Sequence, residues 1–229
     1  MRVSAPPGMK GGIVLPRRYT VGAKFPCFGD EIELVPESQW DELAAADDGM
    51  VPFIPHVYHQ KYNSCASESS TGALLIARAF QGLPYVPLNP LTLYRRVNGG
   101  RDAGSSIDEN LLALQEYGVC PEESWSYDKG WRAKPSDEAV KAAESFRIVE
   151  AYDISTVEEM VSALLKKFVV VYGANGHAVC KVRHLNDREG LDLNSWGEDW
   201  GDNGLGVWAS YRKINWGYGA WAVRTTTFA

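Results

Sequence analysis

The feature that most limits what this chain can fold into is a change of hydrophobic period near residue 168. Before it, apolar residues recur at helical spacing; after it, they fall in short runs bounded by Gly, Asn or Asp. The first strong helical stretch, CASESSTGALLIARAFQG, opens at Cys65. Ala73, Ile76, Ala77 and Phe80 share one face of it, and Gly82 with Pro84 stops it. A second, IDENLLALQEY, follows Ser106 and Glu109 in capping-box spacing and ends at Gly118. A third is expected at about 136–145. A fourth starts at Ser155 or Thr156 and buries Val157, Met160, Val161, Leu164 and Leu165. A brief helix over 38–46, capped by Ser38, precedes them all. The strand runs are FVVVY, HAVCKVRH, GLDLNS, LGVWASY and AWAVRT. Helices first and strands later describe an α+β chain in two segregated layers, and the cleft between a helical lobe and a sheet lobe is a natural place for a site.

The 229 residues, 45% hydrophobic, suit one compact or two-lobed domain. Residues 1–36 are rich in Gly and Pro and read as an extended arm with short strands, and VPFIPHVYHQ at 51–60 as extended chain. The expected organisation is an arm over 1–50 and a domain over 51–229. With 23 basic against 29 acidic side chains the net charge is -6, leaving no surplus to neutralise phosphates, so no nucleic-acid partner is expected. Arg17 with Arg18, and Arg95, Arg96 and Arg101, read as solvated faces. No run approaches the roughly 20 apolar residues of a membrane span, and no membrane partner is expected. The opening residues carry no apolar run of signal-peptide length. Four scattered cysteines and four histidines lack CxxC or HExxH spacing, so neither a metal nor another cofactor is expected. Few cysteines and no export signal favour a reducing, cytoplasmic compartment.

Cys65 sits where a loop meets a helix N-terminus, whose dipole and free N–H groups favour a thiolate. A free thiol with a pKa near 8.5 is only about 3% ionised at neutral pH, and lowering it to 7 takes about 2 kcal/mol. A lone cysteine reads better as a small core residue. Two further residues reverse that reading. His177 begins a strand after GANG, and Asn194 lies in LNSWGEDWGDNG where a short strand ends. An Asn accepting from the imidazole fixes its tautomer, with Trp196 keeping water away.

GHAV at 176–179 and NSWGEDWGDNG at 194–204 resemble the His and Asn motifs of papain-like (C1-type) cysteine peptidases, and SCASES at 64–69 resembles their nucleophile segment. Separations of 112 residues from Cys65 to His177 and 17 from His177 to Asn194 fit. GVCPEESWSYD at 118–128 and the C-terminal strands are similar to bacterial and phage-type members, so the resemblance runs from about residue 50 onward. It implies a two-lobed fold with a helical lobe, an antiparallel sheet or barrel lobe and a cleft between them. It implies Cys65 as nucleophile, His177 as acid and base, Asn194 as orienter and Gln60 as oxyanion donor beside the Cys65 N–H. It further implies a peptide or protein substrate, with Gly99 and Gly100 of VNGG contacting it; an ordinary turn is an equal reading of that pair.

Three departures accompany the resemblance. Gln60 stands five residues before Cys65 where the family has six, and the sixth position is His59, which competes as donor. Ala66 replaces the family's Trp. Tyr62 and Val97 occupy both halves of the family's disulfide near the site, as suits a reducing compartment. The arm reads equally as a short inhibitory segment, a partner-binding segment for an assembly, or extra sheet. An alternative to the peptidase is an inactive papain-like module in a virion or assembly; a cysteine acyltransferase ranks below both, since it calls for Asp in place of Asn194.

Overall fold

The structure, a computed structural model, describes residues 3–8, 12–14 and 25–227. Arg17 and Arg18 lie outside the described residues, as does most of the arm between 9 and 24. The helices are α1 (Phe28–Glu31), α2 (Trp40–Ala46), α3 (Cys65–Phe80), α4 (Leu91–Val97), α5 (Ile107–Glu116), α6 (Asp137–Ala143) and α7 (Val157–Leu165). The strands are β1 (Ala151–Asp153), β2 (Val169–Ala174), β3 (His177–Asn186), β4 (Glu189–Leu193), β5 (Leu205–Gly206) and β6 (Ala220–Val223). They form one antiparallel sheet in the order β1-β6-β2-β3-β4-β5.

Alternation along the strands divides the core. Val169, Val171, Ala178, Cys180, Val182, Trp221 and Val223 face α3 and α5, where they meet Ala73, Leu74, Ile76, Leu111 and Leu114. Val170, Tyr172, Val179, Ala220 and Ala222 face the other way, onto Met160, Val161 and Leu164 of α7. Phe28 and Trp40 join that second cluster, so residues 28–46, read from sequence as part of the arm, pack on the sheet's outer face. A third cluster, centred on Tyr94, Trp125 and Trp131, fills the helical lobe.

Local details differ from expectation in instructive ways. The helix expected over 38–46 begins at Trp40 behind a 3-10 turn, and Ser38 does not cap it. The Ser106 Oγ donates to the Glu109 carboxylate at 3.0 Å without capping the backbone. The full capping box belongs to Thr156 and Glu159 at the start of α7. Within LGVWASY the strand covers only Leu205 and Gly206, and from Trp208 onward the chain leaves the sheet to cover the site.

Candidate active site

Cys65 is the first residue of α3, fully buried where the central helix meets the sheet. His177 is the first residue of β3, placed by a two-residue hairpin whose Asn175 and Gly176 have φ of 53° and 74°. Both central residues are left-handed, as the tight hairpin turn favouring Asn-Gly requires. Asn194 follows β4, the neighbour of β3, so one β-hairpin supplies both residues. The His177 Nε2 lies 2.8 Å from Asn194 Oδ1. The Ser195 backbone N–H donates to the same Oδ1 at 2.7 Å, and a backbone N–H can only donate. The atom facing the imidazole is therefore the amide oxygen, Nε2 carries the proton, and Nδ1 is the basic nitrogen. Nδ1 is buried without a hydrogen-bond partner among the described residues. Trp196 stacks on the imidazole at 4.2 Å and 17°, and Trp208 meets it edge-on at 5.7 Å.

No hydrogen bond joins the Cys65 thiol to His177 in this state. The sulfur sits instead against the backbone N–H groups of Ala178, Gly12 and Ala66. Burial pushes the thiol up to about 11, against the lowering by those N–H groups. Burial likewise depresses His177 to about 4, partly opposed by the Asn194 bond. Both shifts favour the uncharged pair, whereas the helix N-terminus alone leads one to expect a thiolate. Desolvation outweighs the helix here.

The water is excluded by the chain itself. The Ser105 N–H donates to Gly12 O at 2.9 Å and the Val14 N–H to Ser105 O at 3.1 Å, a short parallel pairing centred on Ile13. The Ile13 N–H reaches Gly176 O at 3.4 Å, so the segment spans both lobes. A Cβ on Gly12 would lie 2.2 Å from Asn63 O, and one on Gly104 would lie 1.8 Å from Gly12 O. Ile13 is buried, its Cδ1 2.6 Å from where a Cβ on Gly173 would sit. Upstream, Ser4 O accepts from Trp200 Nε1 at 3.1 Å.

Gln60 and His59 face different ways. The Gln60 amide is buried, its Oε1 accepting from Ser195 Oγ at 2.6 Å and its Nε2 donating to Tyr62 O at 3.0 Å. This leaves a second N–H on Nε2. His59 is exposed and lines a hollow of about 260 Å³ with His56, Tyr85 and Glu122. Gly99 and Gly100 end α4 as a left-handed turn, with Asn98 Oδ1 accepting from the Gly100 N–H at 2.9 Å. An added Cβ at either would meet nothing within 4 Å. The backbone that meets the segment in the cleft is that of Ser105, which the VNGG resemblance does not indicate. Its signal was the Gly104-Ser105 step immediately before a helix. Ser195, the partner of Gln60, was visible only as the residue after Asn194.

Set beside solved structures, the fold has many counterparts. Xylellain, a cysteine protease from Xylella fastidiosa, superposes with a TM-score of 0.70 at 22% identity, over 94% of this chain and 97% of that one. Digestive procathepsin L 3 of Tenebrio molitor larval midgut gives a TM-score of 0.67 at 16% identity, over 90% and 74%. The chain has the papain-like cysteine-protease fold. An uncharacterized peptidase C1-like protein of Acanthamoeba polyphaga mimivirus is 30% identical over 141 residues. That match covers 45% of this chain and 45% of the relative, so less than half of the relative's length is spanned. No protein-family model matches the chain. Among the described residues no helix is long and apolar enough to cross a membrane.

Proposed function

We propose that the chain is a cysteine peptidase held latent by residues 12–14 of its own arm. The observation that carries this reading is the oriented imidazole. Asn194 fixes the proton on Nε2 and leaves Nδ1 basic and unpartnered, in the buried site where Cys65 heads α3. With the arm displaced, Nδ1 takes the thiol proton and the sulfur attacks a peptide carbonyl carbon. The Cys65 backbone N–H and the second N–H of Gln60 Nε2 meet the developing oxyanion. Collapse breaks the C–N bond, His177 protonates the leaving amine, and a thioester remains. Water, deprotonated by His177, then releases the acid and restores the thiol.

The inactive-module alternative accounts for less. A binding module needs neither an imidazole clamped by Asn194 nor a tryptophan stacked over it. The occupied cleft suits latency, because the segment held there is a short extended backbone of the kind a substrate would present. The four free thiols suit a reducing compartment.

The test uses the Ile13→Asp chain, in which a charge at a buried apolar position is expected to release the arm, beside the same chain carrying Cys65→Ala. A thiol-directed epoxide is expected to label Cys65 alone, and hydrolysis of a peptide library to fall by about 10³-fold or more without the thiol. Equal labelling of all four cysteines, with hydrolysis unchanged by Cys65→Ala, would sink the proposal.

A further inference from the structure

The loop 60–64 carries Gln60 and runs directly into Cys65, so its placement sets the geometry between the oxyanion donor and the nucleophile. No disulfide ties it down: all four cysteines are free, and Tyr62 is not one of them. Backbone bonding within the loop is sparse. Two carboxyl groups from other parts of the helical lobe gather it instead.

The first is Asp102, in the turn between α4 and α5. Its Oδ1 accepts from the Asn63 N–H at 2.9 Å, and its backbone O accepts from Asn63 Nδ2 at 2.9 Å. The same Oδ1 accepts from the Tyr94 hydroxyl at 2.6 Å, and that hydroxyl accepts in turn from the Gly104 N–H at 3.3 Å. Asn63 and Gly104 both close on Gly12. One carboxylate therefore joins both walls of the channel through which an extended backbone passes.

The second is Glu68, one turn into α3. Its Oε1 accepts from Ser64 Oγ at 3.0 Å and from the Tyr127 hydroxyl at 2.8 Å. Tyr127 in turn accepts from the Lys61 N–H at 3.2 Å. The Glu68 side chain is buried and Oε2 has no partner among the described residues, so the group gains nothing from solvent and its observed bonding goes to this loop and to Tyr127.

We propose that Asp102 and Glu68 are positioning residues that hold loop 60–64, and with it Gln60 and Cys65, in catalytic register through Asn63, Ser64 and the Tyr127–Lys61 contact. This rests on the peptidase reading for its catalytic consequence but not for its structural content. Each node uses one side-chain oxygen as a double acceptor. An amide can replace either carboxyl group without losing that oxygen, whereas alanine cannot.

The experiment compares Asp102→Ala, Asp102→Asn, Glu68→Ala and Glu68→Gln in the full chain at pH 7. Backbone hydrogen exchange over residues 60–64 is read against that of β2. Both alanine variants are expected to speed exchange in the loop by about 10-fold while β2 is not speeded, and neither amide variant to speed exchange in the loop. In the Ile13→Asp background, Asp102→Ala is expected to lower kcat by about 10-fold or more with a smaller change in KM, since misplacement by about 1 Å is felt in the rate; Asp102→Asn restores it. Loop exchange unaltered by Asp102→Ala, or equally raised by Asp102→Asn, overturns the proposal. Glu68→Ala, buried, is open to general loss of fold; the exposed Asp102 pair decides the matter without it. If the parent hydrolyses no peptide, the peptidase reading fails while the exchange data still decide the clamp. If exchange rises but kcat does not move, the catalytic role is overturned.

Discussion

The two sides of the site are held by different means. On the sheet side, His177 and Asn194 come from adjacent strands, joined by hairpin pairing, and are roofed by Trp196 and Trp208. Beneath them a fully buried Lys181–Asp192 pair at 2.8 Å holds the Trp208 backbone N–H through Asp192 Oδ2 at 2.9 Å. On the helical side, the geometry depends on side chains far apart in sequence that reach backbone groups of one loop, and on an arm that crosses the cleft. A hairpin propagates its register through the ladder, so the sheet side is intrinsically rigid. A loop tethered by side chains has only as much order as its tethers supply, and it responds to charge and to loss of single contacts.

The largest expected effect tests the charge sensitivity of the helical side. Burial raises Glu68 from 4.5 to about 8, against the lowering by its bonds to Tyr127 and Ser64. The titratable groups around it are Tyr127, Tyr58 and Cys65. The folded chain thus keeps a proton that the unfolded chain releases above about pH 4.5. Stability declines as pH rises from there through about 8, by on the order of a few kcal/mol. Glu68→Gln removes this decline, so it should unfold at higher urea than wild type at pH 8 and at nearly the same urea at pH 4. Parallel urea curves at both pH values would break the contrast between the two sides.

The next prediction tests the sheet side. Asn194→Ala removes the acceptor that sets the His177 tautomer and leaves the Ser195 N–H without its partner. In the Ile13→Asp background kcat should fall by about 10²-fold, with the thermal midpoint close to the parent because the β3–β4 ladder persists. A fall in midpoint that accounts for the lost rate would show that the sheet side is less rigid than its pairing implies.

The smallest effect concerns the arm. Ile13→Asp puts a charge into a buried apolar position between the lobes, so the arm leaves the cleft and water reaches Cys65. Epoxide labelling of Cys65 should speed by about 10-fold or more over wild type, as the desolvation that holds the thiol at about 11 is relieved. Unchanged labelling would show that residues 12–14 do not limit access to Cys65.

How much of this was legible in the sequence follows the same division. The α+β layering was readable because the hydrophobic period changes along the chain, and α3, α5, α7 and four of the strands follow directly from it. His177 and Asn194 were readable because their geometry is local: a turn, two short strands and a Trp-Gly step. Gln60 and His59 were not separable, since adjacent positions in an extended segment point opposite ways and only the Ser195 hydroxyl shows which one faces inward. Gly99 and Gly100 drew attention as a pair, while Ser105 meets the arm five residues later because the turn after α4 carries the chain past Asp102 before it returns to the cleft. Phe28 lay hidden in an arm rich in Gly and Pro, and Trp40 opens a helix too short for its period to show which surface it packs against.

By itself, then, the sequence determined the two layers, the order of the three central residues and the strand that carries the imidazole, all of which depend on periodicity and near neighbours. The tertiary structure alone decided that burial works against a Cys65 thiolate, that residues 12–14 lie against Ser105, and that Asp102 and Glu68 converge on one loop. Those outcomes depend on burial and on contacts between residues tens of positions apart. Desolvation and long-range hydrogen bonding leave no period in a sequence, because they arise only when the chain has closed on itself.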